Sequence, residues 1–220
     1  DSYSSITDTR LQQTILQYIT ENENKAIQNN NNRGKVIYGL LKTIFLSADS
    51  NNNIDLTATL GIPSIYEIEN KDMQDTSGRI VQQVYWYGDE DGKTFFPPFI
   101  NSFSPKEWII TPKSEWYEIK SRKGNVWVYA NRPLNNDANL DDSAQIHLNK
   151  YLADNNITPS VVVHRGHSYW LIRTIRRMAG NAKIVMLGSC GGYQNLNDII
   201  EKNPDAHIIS TKEIGTGDIN

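Results

Sequence analysis

The chain has 220 residues, a formal net charge of -3 at pH 7 and one cysteine. This length is enough for one sizeable domain, with or without a smaller appendage. The slightly acidic balance argues against nucleic-acid binding, and no apolar run approaches the roughly 20 residues that cross a bilayer. We therefore expect a soluble protein that binds neither nucleic acid nor membrane. A single cysteine excludes an intrachain disulfide and does not specify a cellular compartment.

The first 75 residues are predicted to form a helical extension or the remnant of a preceding domain. Apolar side chains recur at helical spacing in residues 8–28 and again in residues 33–47, with a run of asparagines between the two segments. The segment that follows is rich in turn-forming residues, and we place the start of a second domain, residues 76–220, within it. Because the sequence starts at Asp1 without a leader, we expect a processed chain, from which a signal peptide could have been removed, or an excised fragment.

From residue 79 the sequence changes to patterns typical of β-strands. A β-rich run is followed by the acidic, glycine-flanked residues 88–92, which we interpret as a turn that could border a cleft. A Lys-Gly-Asn turn at residues 123–125 is predicted to join two later strands as a hairpin. The predicted strands of this region are residues 80–87, 108–111, 115–120 and 126–130.

After residue 140, predicted helices and strands alternate. Asp141 or Asp142 is expected to cap the first helix. Ser168 is expected to cap the second helix, which Gly180 would end. The predicted strands are short and continuously apolar, at residues 161–163, 184–187 and 207–210. This alternation is typical of an α/β fold, a mostly parallel sheet with helices on both faces.

Two of these strands are each followed by a side chain suited to catalysis. His167 follows residues 161–163, and Cys190 follows residues 184–187. A strand–helix–strand connection this short is almost always a right-handed crossover between parallel strands, which are usually neighbours. Neighbouring strands lie about 4.8 Å apart, and both residues leave the carboxyl edge of the sheet, where α/β proteins bind ligands. The sequence therefore predicts that His167 and Cys190 lie within hydrogen-bond reach.

A thiol beside an imidazole is suited to nucleophilic catalysis. The imidazole of His167 would take the proton of Cys190, and the resulting thiolate would be the nucleophile. Glycines on both sides of the cysteine allow a sharp turn and close approach of a substrate. The backbone N–H groups of Ser168, Cys190 and Gly191 are the predicted donors to the oxyanion of an acyl-transfer intermediate.

The order of these features resembles that of the caspase-like cysteine peptidases, the group that includes caspases, legumains, gingipains, clostripain and separase. In this chain an apolar strand precedes Gly166 and His167, and after a helix a second apolar strand precedes Ser189 and Cys190. The resemblance covers residues 140–211 and implies an endopeptidase that cleaves peptides or proteins without a cofactor. It also implies that His167 is the catalytic histidine and Cys190 the nucleophile. Ser168 stands where that group usually has glycine.

Other residues near these strand ends are alternatives or additions to the site. His164 is the alternative base, but we favour His167 because Gly166 provides the bend beyond the strand. The two histidines have no further convincing ligands in the pattern, so we predict no metal site. The loop after the last strand is predicted to lie beside the cysteine, where Glu213 or Asp218 would receive a basic side chain of the substrate.

Two other functions fit the same residues. Residues 188–192 also match the Gly-x-Cys-x-Gly nucleophile elbow of glutamine amidotransferases and cysteine hydrolases. Those enzymes place their histidine after the nucleophile, and the only later histidine is His207, inside a predicted strand. Chain order therefore favours the peptidase. The presence of Ser168 in place of glycine also fits a catalytically degenerate domain that binds or scaffolds.

Overall fold

The structure is a computed structural model, and it describes residues 6–61 and 67–211. The chain divides into two compact units, residues 1–67 and 68–220. The first unit is helical in its described part. Its elements are α1 (Thr9–Gln28), α2 (Asn32–Ser47), a 3₁₀ turn (Ser50–Asn52) and α3 (Leu56–Leu60).

Helices α1 and α2 form the antiparallel pair that their periodicity predicts. Helix α1 begins after Asp8, whose carboxylate accepts hydrogen bonds from the N–H groups of the first turn. Near the connection, a Cβ on Gly34 would lie 2.8 Å from the Cβ of Ala26. Farther along both helices, Nζ of Lys42 lies 2.9 Å from a carboxylate oxygen of Glu23. The hairpin is therefore held by close backbone approach at one end and by an ion pair farther along.

The second unit alternates strands and helices. Its strands are β1 (Ile80–Trp86), β2 (Trp108–Pro112), β3 (Trp116–Ser121), β4 (Val126–Asn131), β5 (Val161–Arg165), β6 (Ile184–Gly188) and β7 (His207–Ser210). Its helices are α4 (Glu90–Asn101), α5 (Leu140–Asp154), α6 (Leu171–Arg177) and α7 (Leu196–Lys202). Its 3₁₀ turns are Asn70–Met73, Ser168–Trp170 and Gly192–Asn195. Within the described ranges, none of the helices combines the length and the apolar character that a bilayer crossing requires.

The strands form one sheet of seven in the order β2-β3-β4-β1-β5-β6-β7. Strands β4, β1, β5, β6 and β7 run parallel, while β3 is antiparallel to both β2 and β4. The predicted α/β class, the mostly parallel sheet and the β3–β4 hairpin are therefore confirmed. The short crossover between β5 and β6 also joins parallel neighbours, as predicted.

Helices cover both faces of the sheet because successive strand residues point to opposite sides. Trp86 of β1 packs with Phe96 of α4 on one face. Tyr85 faces the other side and packs in a cluster with residues of α6 and α7. On that same side, Val81 packs with Leu148 of α5. Burying each such apolar side chain contributes roughly 1.5–3 kcal/mol, which makes the sheet the core of this unit.

Helix α4 replaces the turn that the sequence predicts at residues 88–92. Asp89 caps the helix, and its Oδ1 accepts a hydrogen bond of 2.8 Å from the N–H of Gly92. Pro97 and Pro98 lie inside α4, where proline is normally unfavourable. Phe96, which directly precedes the two prolines, is buried against the sheet. Packing on the sheet therefore stabilises a helix that the local sequence disfavours.

Three expectations about the later helices are wrong. Asn139, in a left-handed conformation, precedes α5, and Asp141 lies inside the first turn as a buried group rather than a cap. Ser168 is exposed and begins a 3₁₀ turn, so that Trp170 takes the capping position of α6. Helix α6 ends at Arg177, before the predicted stop at Gly180, because Met178 turns to an extended conformation.

Candidate active site

Three neighbouring strands bring their carboxyl ends to one edge of the sheet. In the register of the parallel pairs, Trp86 of β1 lies opposite Arg165 of β5, which lies opposite Gly188 of β6. His167 comes two residues after Arg165, and Cys190 comes two residues after Gly188. The two candidate catalytic residues therefore each follow a paired position of adjacent strands by two residues.

The residues at and beyond the ends of these strands surround an open cleft. Its empty volume is ≈ 490 Å³, which includes space that is open to solvent. The cleft is lined by Trp86, Asp91, Gly92, Phe95, Arg165, Gly166, His167, Gly188, Ser189 and Cys190. His167 and Cys190 thus face one cavity. Two predicted oxyanion donors, Ser168 and Gly191, are absent from this lining within the described chain. Glu213 and Asp218 lie outside the described residues.

His167 is held from two directions. Its Nε2 lies 3.3 Å from Oδ2 of Asp91, in the first turn of α4. Its ring also stacks on Tyr169, with a centroid distance of 5.1 Å and an interplanar angle of 13°. The His167 side chain is 40% exposed, so solvent and a substrate can both reach the imidazole.

Cys190 is half-buried in a tight turn between β6 and the 3₁₀ turn at Gly192–Asn195. Gly191 has a φ of 60°, a left-handed conformation that favours glycine. A Cβ on Gly192 would lie 2.9 Å from the Cβ of Leu187, so the turn packs back against β6. On the other side, the hydroxyl of Thr211 donates a hydrogen bond to the carbonyl oxygen of Ser189. The backbone of Cys190 is therefore held by packed neighbours on both sides.

His164 lies beneath the loop that carries His167, and it is fully buried. Its Nε2 donates to the carbonyl oxygens of Gly166 and His167, at 3.1 and 3.3 Å. Because carbonyls only accept, Nε2 must hold the proton, and Nδ1 accepts from the Thr174 hydroxyl at 2.8 Å. Burial lowers the pKa of His164 to about 4. His164 is thus a buried imidazole with both nitrogens engaged in hydrogen bonds, and it supports the loop that carries His167.

Side-chain amides and a carboxylate hold the end of β1 beside the cleft. Oδ1 of Asn131 accepts a hydrogen bond of 3.0 Å from the N–H of Trp86, and Nδ2 donates to the Trp86 carbonyl at 2.7 Å. Gln145 donates to the same carbonyl at 2.9 Å. The buried Asp141 accepts a hydrogen bond of 3.0 Å from the N–H of Gly88. These contacts satisfy the backbone of β1 where its pairing ends.

The cleft wall combines aromatic and charged groups. The guanidinium carbon of Arg165 lies 5.3 Å from the centroid of the Trp86 ring. Burial lowers the pKa of Arg165, although a guanidinium stays protonated throughout the physiological range. Phe95 and the carboxylate of Asp91 come from α4. The wall therefore offers an aromatic surface together with both signs of charge.

Asp91 is the site residue that the sequence analysis missed. The acidic run after β1 was interpreted as a turn, and its carboxylates were not connected with His167. The position of the acidic run in the sequence could have indicated this role. The run directly follows a strand, and the functional residues of parallel sheets lie at the carboxyl ends of the strands. What the sequence did not provide was the order of strands that places β1 beside β5.

Within residues 6–61 and 67–211, no group of three or more His, Cys, Asp or Glu side chains is arranged to hold a metal ion. Comparisons of the chain with protein-family models, curated proteins and solved structures gave no match. The ionisable side chains that line the cleft are those of Asp91, Arg165, His167 and Cys190.

Proposed function

We propose that this protein is a cysteine peptidase of the caspase-like kind, with Cys190 as nucleophile and His167 as the general base and acid. The observation that supports it is the matched position of the two residues, each two places beyond paired residues of adjacent parallel strands and each lining one cleft. The order of histidine before cysteine, on consecutive strands, is the order of the caspase-like peptidases.

The proposed reaction needs only these two side chains, a backbone N–H and water. The imidazole of His167 takes the thiol proton of Cys190, and the sulfur attacks the carbonyl carbon of the peptide bond. As the C–N bond breaks, the imidazolium gives its proton to the leaving amine, which leaves a thioester on the sulfur. Water then attacks the thioester and gives a proton to His167, and the departing thiolate recovers that proton. The N–H of Cys190 is the proposed donor to the oxyanion of both intermediates.

A glutamine amidotransferase is less compatible with the geometry. Such enzymes need a histidine after the nucleophile in the chain, and His207 lies opposite Ile184, at the beginning of β6. Cys190 follows the far end of the same strand, and the four extended steps from Ile184 to Gly188 alone span about 13 Å. His207 is therefore at the opposite edge of the sheet from the thiol.

The first test is the reactivity of the thiol. We expect iodoacetamide at neutral pH to alkylate Cys190 rapidly in the full chain, and His167→Gln to slow this at least tenfold, because the imidazole that removes the thiol proton is lost. His147→Gln is the matched control, since His147 is exposed and pairs with Glu115 at 2.8 Å on another part of the surface. Equal rates in wild type and His167→Gln would overturn the dyad, and an unreactive thiol would favour a degenerate binding domain.

The second test is peptide cleavage. A library of fluorescence-quenched peptides that varies the residue before the scissile bond should contain substrates for the wild type. Cys190→Ala should abolish their cleavage, and His167→Gln should lower kcat/KM by roughly 10²–10⁴-fold, the usual contribution of general acid–base catalysis. Ammonia release from glutamine, without peptide cleavage, would replace the peptidase by the amidohydrolase. The same library decides whether the preferred side chain is basic, as an acidic pocket at Glu213 or Asp218 would require.

A further inference from the structure

We infer that Asp91 is a positioning residue that orients His167 for the thiol chemistry, a role that rests on the proposed function. The carboxylate oxygen Oδ2 lies 3.3 Å from Nε2 of the imidazole. This contact is an ion pair. A carboxylate has no proton to donate and its negative charge repels an imidazole lone pair, so in the neutral ring the proton is favoured on Nε2. Nδ1 is then the nitrogen that can take a proton from Cys190. Asp91 thereby favours the tautomer whose unprotonated nitrogen is Nδ1, the nitrogen that we assign to the thiol of Cys190.

The backbone of Asp91 is fixed by the start of α4. Asp89 caps the helix through the N–H of Gly92, at 2.8 Å. A Cβ on Gly92 would lie 1.8 Å from the carbonyl oxygen of Tyr87, so the first turn of the helix packs directly on the strand end. Asp91 lies between these two anchored residues, and its backbone is consequently held at a defined position above the sheet.

A second contact joins this turn to the loop of His167. The other carboxylate oxygen of Asp89 accepts a hydrogen bond of 2.9 Å from Nε1 of Trp170. Trp170 closes the 3₁₀ turn that follows His167, and its ring stacks on Tyr87 at 5.3 Å with an interplanar angle of 4°. The segment that carries Asp91 and the segment that carries His167 are therefore linked directly as well as through the sheet.

The ring of His167 is restrained on its other sides. Tyr169 stacks on its face, and His164 binds its carbonyl oxygen from below at 3.3 Å. With the backbone and the ring plane restrained, the remaining freedom is a flip about the Cβ–Cγ bond, which exchanges Nδ1 with Cδ2 and Nε2 with Cε1. A flip would put Cε1 in place of Nε2 beside the carboxylate of Asp91, so this contact favours the observed orientation of the ring.

The exposure of the Asp91 side chain sets the size of its expected contribution to the reaction rate. The Asp91 side chain is 54% exposed, so water competes for its contact with His167 and screens its charge. We therefore expect a smaller contribution than the ~10⁴-fold of a buried triad carboxylate. A loss of roughly 10- to 100-fold in the alkylation rate of Cys190 and in kcat is expected for Asp91→Ala, with KM unchanged, because the peptide itself is still bound.

The variants are chosen to separate orientation from charge and from stability. Glu90→Gln removes the same charge from the neighbouring position of α4, where the side chain is exposed and does not line the cleft. Asp91→Glu keeps the carboxylate and should restore at least part of the rate. Asp91→Asn can donate its amide to Nε2, which permits the wrong tautomer. The urea midpoint of each variant verifies that the fold is retained.

The measurements are the iodoacetamide rate, the peptide kcat and KM, and the fraction of neutral His167 protonated at Nε2, read from two-bond ¹H–¹⁵N spectra. We expect wild type and Glu90→Gln to agree in all three, and Asp91→Asn to show a lower Nε2–H fraction together with slower alkylation. Equal rates and tautomers in wild type and Asp91→Asn would overturn the inference while leaving the dyad intact. A rate that is insensitive to both Asp91→Ala and His167→Gln would instead refute the proposed function.

Discussion

Acidification should destabilise the second unit through His164. In the folded protein the pKa of this imidazole is lowered from 6.5 to about 4, chiefly because burial penalises its charged form. The unfolded chain binds the proton near pH 6.5, whereas the folded protein does not bind it until about pH 4. Its contribution to stability is therefore complete above pH 6.5 and is lost as the pH falls from 6.5 towards 4.

The magnitude follows from linkage. Each tenfold change in proton affinity corresponds to about 1.4 kcal/mol, so a fall in pKa from 6.5 to about 4 corresponds to ~3 kcal/mol. That is a large part of the 5–15 kcal/mol that typically separates a folded domain from its unfolded chain. The loss should be visible as a steep decline in the free energy of unfolding between pH 6.5 and pH 4.

The assay is urea unfolding of the full chain at pH values from 4 to 8. His164→Gln removes the titrating group and retains an amide that can donate to the carbonyl of Gly166. The variant should be less stable at pH 7, by roughly 1–3 kcal/mol for imperfect buried hydrogen bonds. Its stability should nevertheless fall less steeply towards pH 4 than that of the wild type, by up to ~3 kcal/mol.

Carboxylates also titrate in this range, so the decisive quantity is the difference between the two curves. His147→Gln is the control, because its histidine is exposed. If the wild type and His164→Gln lose stability in parallel between pH 6.5 and pH 4, His164 is not buried in its neutral form and the reasoning fails.

Two further variants test how the end of β1 is held. Asn131→Asp is nearly isosteric, but its side chain cannot donate a hydrogen bond to the Trp86 carbonyl, which lies 2.7 Å from Nδ2 of Asn131. The free energy of unfolding, measured in urea at pH 7, should therefore fall by about 2–3 kcal/mol. A variant as stable as the wild type would contradict this hydrogen bond. Gly88→Ala would place a Cβ 1.6 Å from the carbonyl oxygen of Leu134, so we expect no cooperative near-ultraviolet circular dichroism transition. A cooperatively folded Gly88→Ala protein would show that the close approach is absent.

The strands were predictable because their patterns are local. The apolar run at residues 184–187 became β6 at Ile184–Gly188, and the turn at residues 123–125 joined β3 to β4. The short crossover then restricted β5 and β6 to parallel neighbours. The placement of His167 and Cys190 two residues beyond the paired Arg165 and Gly188 follows from that pairing, which is why both candidate catalytic residues could be named in advance.

Helix α4 was not predictable because its stabilisation is not local. Pro97 and Pro98 each remove a backbone donor, and proline in a helix interior costs roughly 3 kcal/mol relative to alanine. The compensating contacts come from the sheet: the rings of Trp86 and Phe96 lie edge to face, 5.4 Å apart. The sequence around the two prolines shows the residues that destabilise the helix. It does not include Trp86, the strand residue whose packing offsets that destabilisation.

The sequence by itself determined the α/β class, the crossover between β5 and β6, and the presence of an imidazole and a thiol beyond their carboxyl ends. Only the tertiary structure decided that His164 is a neutral buried support and that Asp91 meets Nε2 of His167. The physical reason is the position of β1 between β4 and β5, together with the start of α4 at Glu90. Strand order and the packing of a proline-containing helix depend on distant residues, whereas apolar runs and turns are properties of neighbouring ones.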